Sequence, residues 1–328
     1  ALAVPEEHGG LGLGLVELGL VAQASGAATA GAPFLTPGYG VTHALVASGK
    51  ADLAAKYLPQ IAAGEVRGAV AFAEGTDVLP AVPATKFADG KLTGTKPAVP
   101  GALKAELALV WASGANGPVL ALTELAGAER KAVSSFDNSR LYADLTFADT
   151  PAEVLAEGPA ALALAREVLA RMAVVTAHEQ VGGAEALLHI ARDYAVTRKA
   201  FGQLIGAFQS VKHRIAEMYG LVEIARSNCI HAAAVAGTPE FLLAAADARL
   251  TATEAYDTCA RDCVQVHGGI GVTWEQGLHL HMRRARSLAI ARPPVIRSVR
   301  RFNRLVKLPG RSPQAVAETE DRVLAFVP

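Results

Sequence analysis

Arg198-Lys199-Ala200-Phe201-Gly202-Gln203, then Phe208-Gln209-Ser210-Val211-Lys212-His213, then Cys263-Val264-Gln265-Val266-His267-Gly268-Gly269-Ile270-Gly271: the reading of this chain turns on these knots. They combine cations, amides and glycines inside sequence that is otherwise patterned as helix, and none of them has the composition of a plain helix surface. The residues before them, Pro159 to Arg198, contain no further proline, and their only glycines are Gly182-Gly183. An apolar face made of Leu162, Leu169, Met172, Val175, Leu187 and Ile190 predicts one helix of about 40 residues, roughly 60 Å long. Two glycines cost such a helix stability, so the pair marks a close approach of backbone. Three more helices follow. One runs from Ser210 to Ala236. One has Thr238 as its cap and Pro239 at its first position and runs to about Val266. The last runs from about Glu275 to Ala291 and is stopped by Pro293-Pro294. Long helices with short connections predict a four-helix bundle over 156–310, with a tail over 311–328.

Upstream the texture changes. Over 66–155, short runs alternate with turn signals such as Asp89-Gly90 and Gly114-Ala115-Asn116-Gly117-Pro118. The runs are Gly68–Ala73, Ala84–Phe87, Lys91–Thr95, Leu107–Ala112, Val119–Leu122, Ala132–Phe136 and Leu141–Phe147. Their spacing predicts a small antiparallel sandwich or barrel. Residues 1–65 read as helical with glycine-rich breaks, and Asp52 is a candidate cap for a helix carrying Tyr57, Leu58 and Ile61. The chain enters at Ala1-Leu2-Ala3-Val4-Pro5 without a methionine, which points to a preceding segment.

Composition excludes several classes. The 328 residues are 51% hydrophobic with a net charge of zero, so nothing global favours nucleic acid or an acidic membrane. No apolar run is long enough to span a bilayer and no signal-peptide pattern opens the chain. Three cysteines suit a reducing cytoplasm better than a disulfide framework. Cys259, Cys263 and His267 share a helix face but lack a fourth metal ligand at a familiar spacing, so no metal is assigned. Between Gln276 and Ala317 there is no Asp or Glu, while Arg283, Arg284, Arg286, Arg292, Arg297, Arg300, Arg301 and Arg304 crowd together. Aromatic interleaving is nearly absent there, so a solvated or subunit-contacting face is preferred to nucleic acid. Help in holding the phosphates of a nucleotide cofactor is the sharper alternative.

A helical segment, a small β domain and a four-helix bundle, in that order, resemble the acyl-CoA dehydrogenases. Val4-Pro5-Glu6-Glu7-His8-Gly9-Gly10-Leu11-Gly12 is similar to that family's N-terminal loop, and Lys56-Tyr57-Leu58-Pro59 to its turn into the β domain. The knots quoted first resemble its two flavin-contact signatures. The resemblance implies a mainly α fold with a small β domain, FAD as cofactor, an acyl-CoA substrate and an electron-transfer flavoprotein as electron acceptor. It implies cofactor contacts at Arg198, Phe201, Gln209, Gln265, His267, Gly268 and Gly269. A fixed guanidinium suits a pyrophosphate, amides suit the polar edges of the cofactor, and glycines admit close backbone. Read alone, Arg198 is a charge at a helix C-terminus and the glycine pair a helix stop.

The pattern breaks where the family needs a carboxylate to take a proton from the thioester's α carbon. Counted without gaps, its two positions fall on Arg292 and Met172, so the catalytic base is missing. Glu275 is the weak remaining candidate, with a helix N-terminal charge as the plain reading. Glu167 and Glu179 stand more than a helical turn from Met172. The ring-contacting stretches are worn to Ala73-Glu74-Gly75-Thr76-Asp77 and Ala98-Val99-Pro100, and Pro100 has no N–H to donate. The chain therefore reads as a base-less subunit of a heteromer, completing the FAD site of a catalytic sister subunit. A self-sufficient dehydrogenase and a non-enzymatic scaffold are the alternatives.

Overall fold

The structure, a computed structural model, describes residues 1–30, 35–75 and 77–290. Arg292 and the predicted tail lie outside the described residues. Three helices open the chain: α1 (Leu15–Ala27), α2 (Leu35–Ala47) and α3 (Ala51–Ala63). α3 starts one residue before Asp52, so the carboxylate sits in the first turn and not at the cap, which is Lys50.

Eight strands then form one sheet: β1 (Gly68–Ala71), β2 (Lys86–Ala88), β3 (Lys91–Pro100), β4 (Leu107–Gly114), β5 (Gly117–Glu124), β6 (Glu129–Val133), β7 (Tyr142–Pro151) and β8 (Glu153–Glu157). Their order is β6-β7-β3-β2-β4-β5-β8, with β1 also paired to β4. The expected all-antiparallel pairing is corrected at two places. β1 and β2 both run parallel to β4, β1 along Leu107–Val110 and β2 at Ser113. A parallel neighbour needs a crossover, and the chain reaches β4 from β1 and β2 only after passing through β3. One core lies between the sheet and the helices, with Phe72, Trp111, Leu107, Leu109, Leu58 and Val168. A second lies on the sheet's other side, with Leu92, Val110, Leu145 and Phe147.

The bundle follows: α4 (Gly158–Ala195), α5 (Gln209–Ala234), α6 (Phe241–His267) and α7 (Leu278–Ile290). α4 is the axis of the molecule, packed on α1 and α2 at one side and on α5 and α6 at the other. Its apolar face is shifted from the predicted one. Val168, Val174, Val175, Val181 and Leu187 are buried, whereas Ile190 is exposed. Thr238 does not cap α6: its hydroxyl donates back to the Val235 carbonyl at 2.8 Å, and α6 begins at Phe241. No helix among the described residues is long and apolar enough to cross a membrane.

The glycine pair does what its position in α4 suggests. A Cβ on Gly182 would fall 1.8 Å from the Gln23 carbonyl oxygen of α1, and one on Gly183 would fall 2.4 Å from the Tyr256 ring of α6. Gly26 answers from α1, where a Cβ would fall 1.8 Å from the Glu179 carbonyl oxygen. α1 and α4 thus cross backbone to backbone. Gly182→Ala forces that crossing apart and is expected to cost about 1–3 kcal/mol in chemical denaturation, as overpacked cores do. The same substitution at Gly220, where a Cβ meets nothing, should be neutral or mildly stabilising.

Candidate functional site

The end of α4 and the end of α6 are brought together by a ring stack. Tyr194 lies 4.1 Å from His267, nearly parallel to it. His267 is buried, and its Nδ1 is 2.8 Å from the Cys263 carbonyl of its own helix, so Nδ1–H donates and Nε2 is left as the acceptor. Immediately beyond these rings the chain opens into two polar loops at the same end of the bundle.

The first loop is a hairpin, β9 (Lys199–Ala200) against β10 (Gln203–Leu204). Only Phe201 and Gly202 separate the strands, with φ of 50° and 82°. Both residues are left-handed, as in a type I′ turn, where Asn-Gly is the easy pair and a bulky residue is not. Phe201 nevertheless holds the strained position, and its side chain is 96% exposed. Arg198 enters this hairpin exposed, its N–H bonded to the Tyr194 carbonyl at 2.9 Å. Among the described residues its guanidinium has no ion-pair partner. Gln209, also exposed, is the first residue of α5.

The second loop leaves α6 through Gly268, at φ 62°, into a short 3-10 turn. A Cβ on Gly268 or Gly269 would meet nothing within 4 Å, so both face open space. Gln265 is exposed one turn earlier. Val272 and Trp274 beside them are 76% and 69% exposed. An exposed cation, amides, bare glycine backbone and the Phe201 ring therefore lie in two loops at one end of the bundle, with Trp274 stacked on His279 beside them. These groups fit a dinucleotide held from one side: a guanidinium for phosphates, amides for polar edges and rings for stacking.

The carboxylates are placed otherwise. Glu275 is exposed in the turn before α7, not in the helix itself. Glu179 is buried and tied to Arg140 and to Arg284, whose Nη1 is 2.6 Å from Oε1. Glu167 lies 3.0 Å from Arg171 Nε and 3.1 Å from His43 Nε2. Both Glu167 and Glu179 are thus ion-paired within the chain. Met172, at one base position, packs its thioether against Gly40 of α2.

The β domain has turned its own polar groups inward. Glu74 accepts from Ala84 N at 2.6 Å, Thr85 N at 3.0 Å and buried Lys96 Nζ at 2.7 Å. Despite its own partial burial, the Lys96 ammonium and these two N–H groups hold the Glu74 carboxyl down to about 2. Burial brings Lys96 down to about 8, partly offset by Glu74. Ala98 sits at φ 47° and gives its N–H to Asp144 at 2.8 Å. These groups are hydrogen-bonded to one another within the β domain.

Two of the arginines taken as possible phosphate ligands are paired elsewhere. Arg284 is wholly buried against Asp137 and Glu179, and Arg286 lies 3.1 Å from Asp257. Sequence reading missed this buried arginine, because Arg283, Arg284 and Arg286 look alike in a basic run. Among the described residues no group of three His, Cys, Asp or Glu is arranged to hold a metal.

Comparison with known proteins agrees with this layout. The chain matches the model of the acyl-CoA dehydrogenase N-terminal domain over residues 1–65 and of the acyl-CoA dehydrogenase C-terminal domain over residues 162–292. Acyl-CoA dehydrogenase IpdE2 of Mycobacterium tuberculosis is 32% identical over 292 residues, covering 88% of this chain and 77% of that one. A solved Tcur3481-Tcur3483 steroid ACAD variant is 30% identical with a TM-score of 0.79, covering 88% of this chain and 79% of that one. Butyryl-CoA dehydrogenase from Megasphaera elsdenii, 24% identical with a TM-score of 0.80, shares the fold over 88% of this chain and 82% of that one.

Proposed function

The chain belongs to the acyl-CoA dehydrogenase family, a family of FAD-dependent oxidoreductases, and we propose that it serves there as a base-less subunit. It completes the FAD site of a catalytic sister subunit that dehydrogenates an acyl-CoA thioester between the α and β carbons. One observation carries this reading. The bundle end carries an exposed guanidinium, exposed amides and bare glycine backbone, while Met172 stands at one base position and the neighbouring Glu167 and Glu179 are both ion-paired. FAD, when bound, supplies the two-electron acceptor. This chain contributes Arg198 to its phosphates, Gln209 and Gln265 to its polar edges, Phe201 to its rings, and Gly268 and Gly269 as close backbone, while His267, buried on Tyr194, holds the two loops together and does not itself reach the cofactor.

The kinship with the Tcur3481-Tcur3483 steroid ACAD favours a sterol-derived thioester, with a fatty acyl thioester as the alternative. Electron-transfer flavoprotein is the electron acceptor the family implies.

The isolated chain is expected to purify with little flavin and to dehydrogenate no acyl-CoA. Co-expression with a catalytic sister chain should restore one FAD per pair and turnover. Full FAD content and turnover in the isolated chain would overturn the proposal. Glu275→Gln in the assembled enzyme is expected to leave kcat within about twofold; a base would lose far more. Phe201→Asn relieves the left-handed position and should stabilise the isolated chain by about 1 kcal/mol. In the complex the same variant should lose flavin on dilution faster than the unsubstituted protein does.

A further inference from the structure

The chain has two tryptophans, and they are placed in opposite ways. Trp111 is buried in the core between the sheet and the helices, and its indole N–H donates to the Pro80 carbonyl at 2.9 Å. Trp274 stands between the 3-10 turn Gly268–Val272 and α7, and it is 69% exposed. The backbone on either side of it is nevertheless fixed. The Thr273 N–H and hydroxyl both donate to the Ile270 carbonyl, at 3.1 and 2.9 Å, and the Gly277 N–H donates to the Trp274 carbonyl at 3.1 Å.

The ring is supported by α7. The His279 imidazole stacks on the indole at 4.1 Å and 23°, and one turn further on the Arg283 guanidinium carbon lies 5.7 Å from the indole centre. Both supports come from one helix, so the indole lies along α7 with its outer face in solvent. This arrangement has a cost. Both His279 ring nitrogens are shut from solvent without a hydrogen-bond partner, which lowers stability. An aromatic ring held with one face backed and the other bare is a stacking platform.

The surroundings select what stacks there. Between Gln276 and Ile290 there is no acidic residue, and among the described residues Arg283 has no ion-pair partner. An apolar partner surface would strip water from that guanidinium and return nothing, whereas a ring that carries phosphates would not. Trp274 follows Gly269 by five positions, along a turn that rises about 2 Å per residue. Bare backbone for phosphate and an indole for a base thus lie within reach of one nucleotide.

We infer that the outer face of Trp274 takes the adenine ring of an adenosine diphosphate group, that of the FAD shared with the sister subunit. This rests on the half-site reading above and gives the base a residue of its own, as Arg198 serves the phosphates. A coenzyme A thioester carries the same adenosine diphosphate group, so the test separates the two sources.

The co-expressed complex, stripped of flavin, is titrated calorimetrically with FAD, with ADP and with pyrophosphate. Trp274→Ala is expected to weaken FAD and ADP by roughly 5- to 100-fold, the range for a base stacked on an aromatic side chain, and pyrophosphate by less than about twofold. Trp274→Phe keeps a ring and should recover most of the loss. In the FAD-loaded complex, Trp274→Ala should leave the affinity for a 3-thia-acyl-CoA unchanged. Equal weakening of ADP and pyrophosphate would show that Trp274 only shapes its loop and would overturn the assignment. So would FAD and ADP affinities that ignore the substitution, or a loss confined to the thioester, which would give the ring to coenzyme A. Failure of the unsubstituted complex to take up FAD would instead overturn the half-site reading itself.

Discussion

Arg284→Met is expected to cost about 3–5 kcal/mol of stability, the range for breaking a buried ion pair by removing one partner. Arg284 is wholly buried, yet it is saturated with partners. Nε donates to Asp137 at 2.9 Å, Nη1 to Glu179 at 2.6 Å, and Nη2 to Ser139 at 2.5 Å and to the Ala30 carbonyl at 3.2 Å. Those partners come from the chain after α1, the loop between β6 and β7, and the middle of α4. One guanidinium therefore fastens the N-terminal helices, the β domain and the bundle together. Arg140 also contacts Glu179, so the methionine variant leaves Asp137 the more poorly paired carboxylate. Urea unfolding of the isolated chain measures the loss as a fall in midpoint at constant slope. Arg284→Met combined with Asp137→Asn should recover about 1–3 kcal/mol relative to additivity, because the two share one interaction. Loss under 1 kcal/mol for Arg284→Met would show that the network adds little.

What the sequence could disclose follows the range of the physics involved. Propensity, glycine and proline act within a turn or two. Hence the length of α4, the close crossing at Gly182-Gly183 and the two polar loops were legible from local pattern. Helix starts were less so. Asp52 and Thr238 have cap chemistry, but α3 begins one residue before Asp52, and Thr238 spends its hydroxyl on Val235. β8 was missed because Glu153-Val154-Leu155-Ala156-Glu157 follows β7 almost directly, without a turn signal. The parallel pairing of β1 and β2 with β4 is a property of a crossover and leaves no mark in either strand. Arg284 shows the limit most clearly: its carboxylates lie 105 and 147 positions away, and nothing in the basic run separates it from Arg283 or Arg286. The candidate site divides the same way. Arg198, Gln265 and the glycines are proposed from motif and stand exposed or open at the bundle end, whereas the packing of Met172 on Gly40 could be seen only in the fold.

Acidification should unfold this protein in a window set by histidines and not by its carboxylates. Burial, with the Arg171 charge added, pushes the His43 ring down to about 4, the Glu167 carboxylate opposing. Burial, with the Arg284 charge added, pushes His281 down to about 4 as well. Tyr256 OH lies 2.9 Å from His281 Nδ1; the hydroxyl donates to a neutral ring, and a proton on Nδ1 would break that bond. An unfolded histidine titrates near 6.5. Between about 6.5 and 4 the unfolded chain therefore holds protons at these positions that the folded chain does not. Stability is complete above that window and falls as pH falls through it. At pH 5 the loss is about 2 kcal/mol for each ring, about 4 together, against a total of roughly 5–15 kcal/mol for a folded domain. Burial lowers His178 too and adds to the same trend. The salt-bridged Glu74, at about 2, contributes a loss only at lower pH. Melting temperature measured from pH 8 to pH 4.5 should drop steeply below pH 6.5. His281→Asn keeps an acceptor for the Tyr256 hydroxyl but removes the titrating ring, and should roughly halve the slope attributed to His43 and His281. An unchanged slope in that variant, or a flat profile in the unsubstituted chain, would place the acid sensitivity elsewhere.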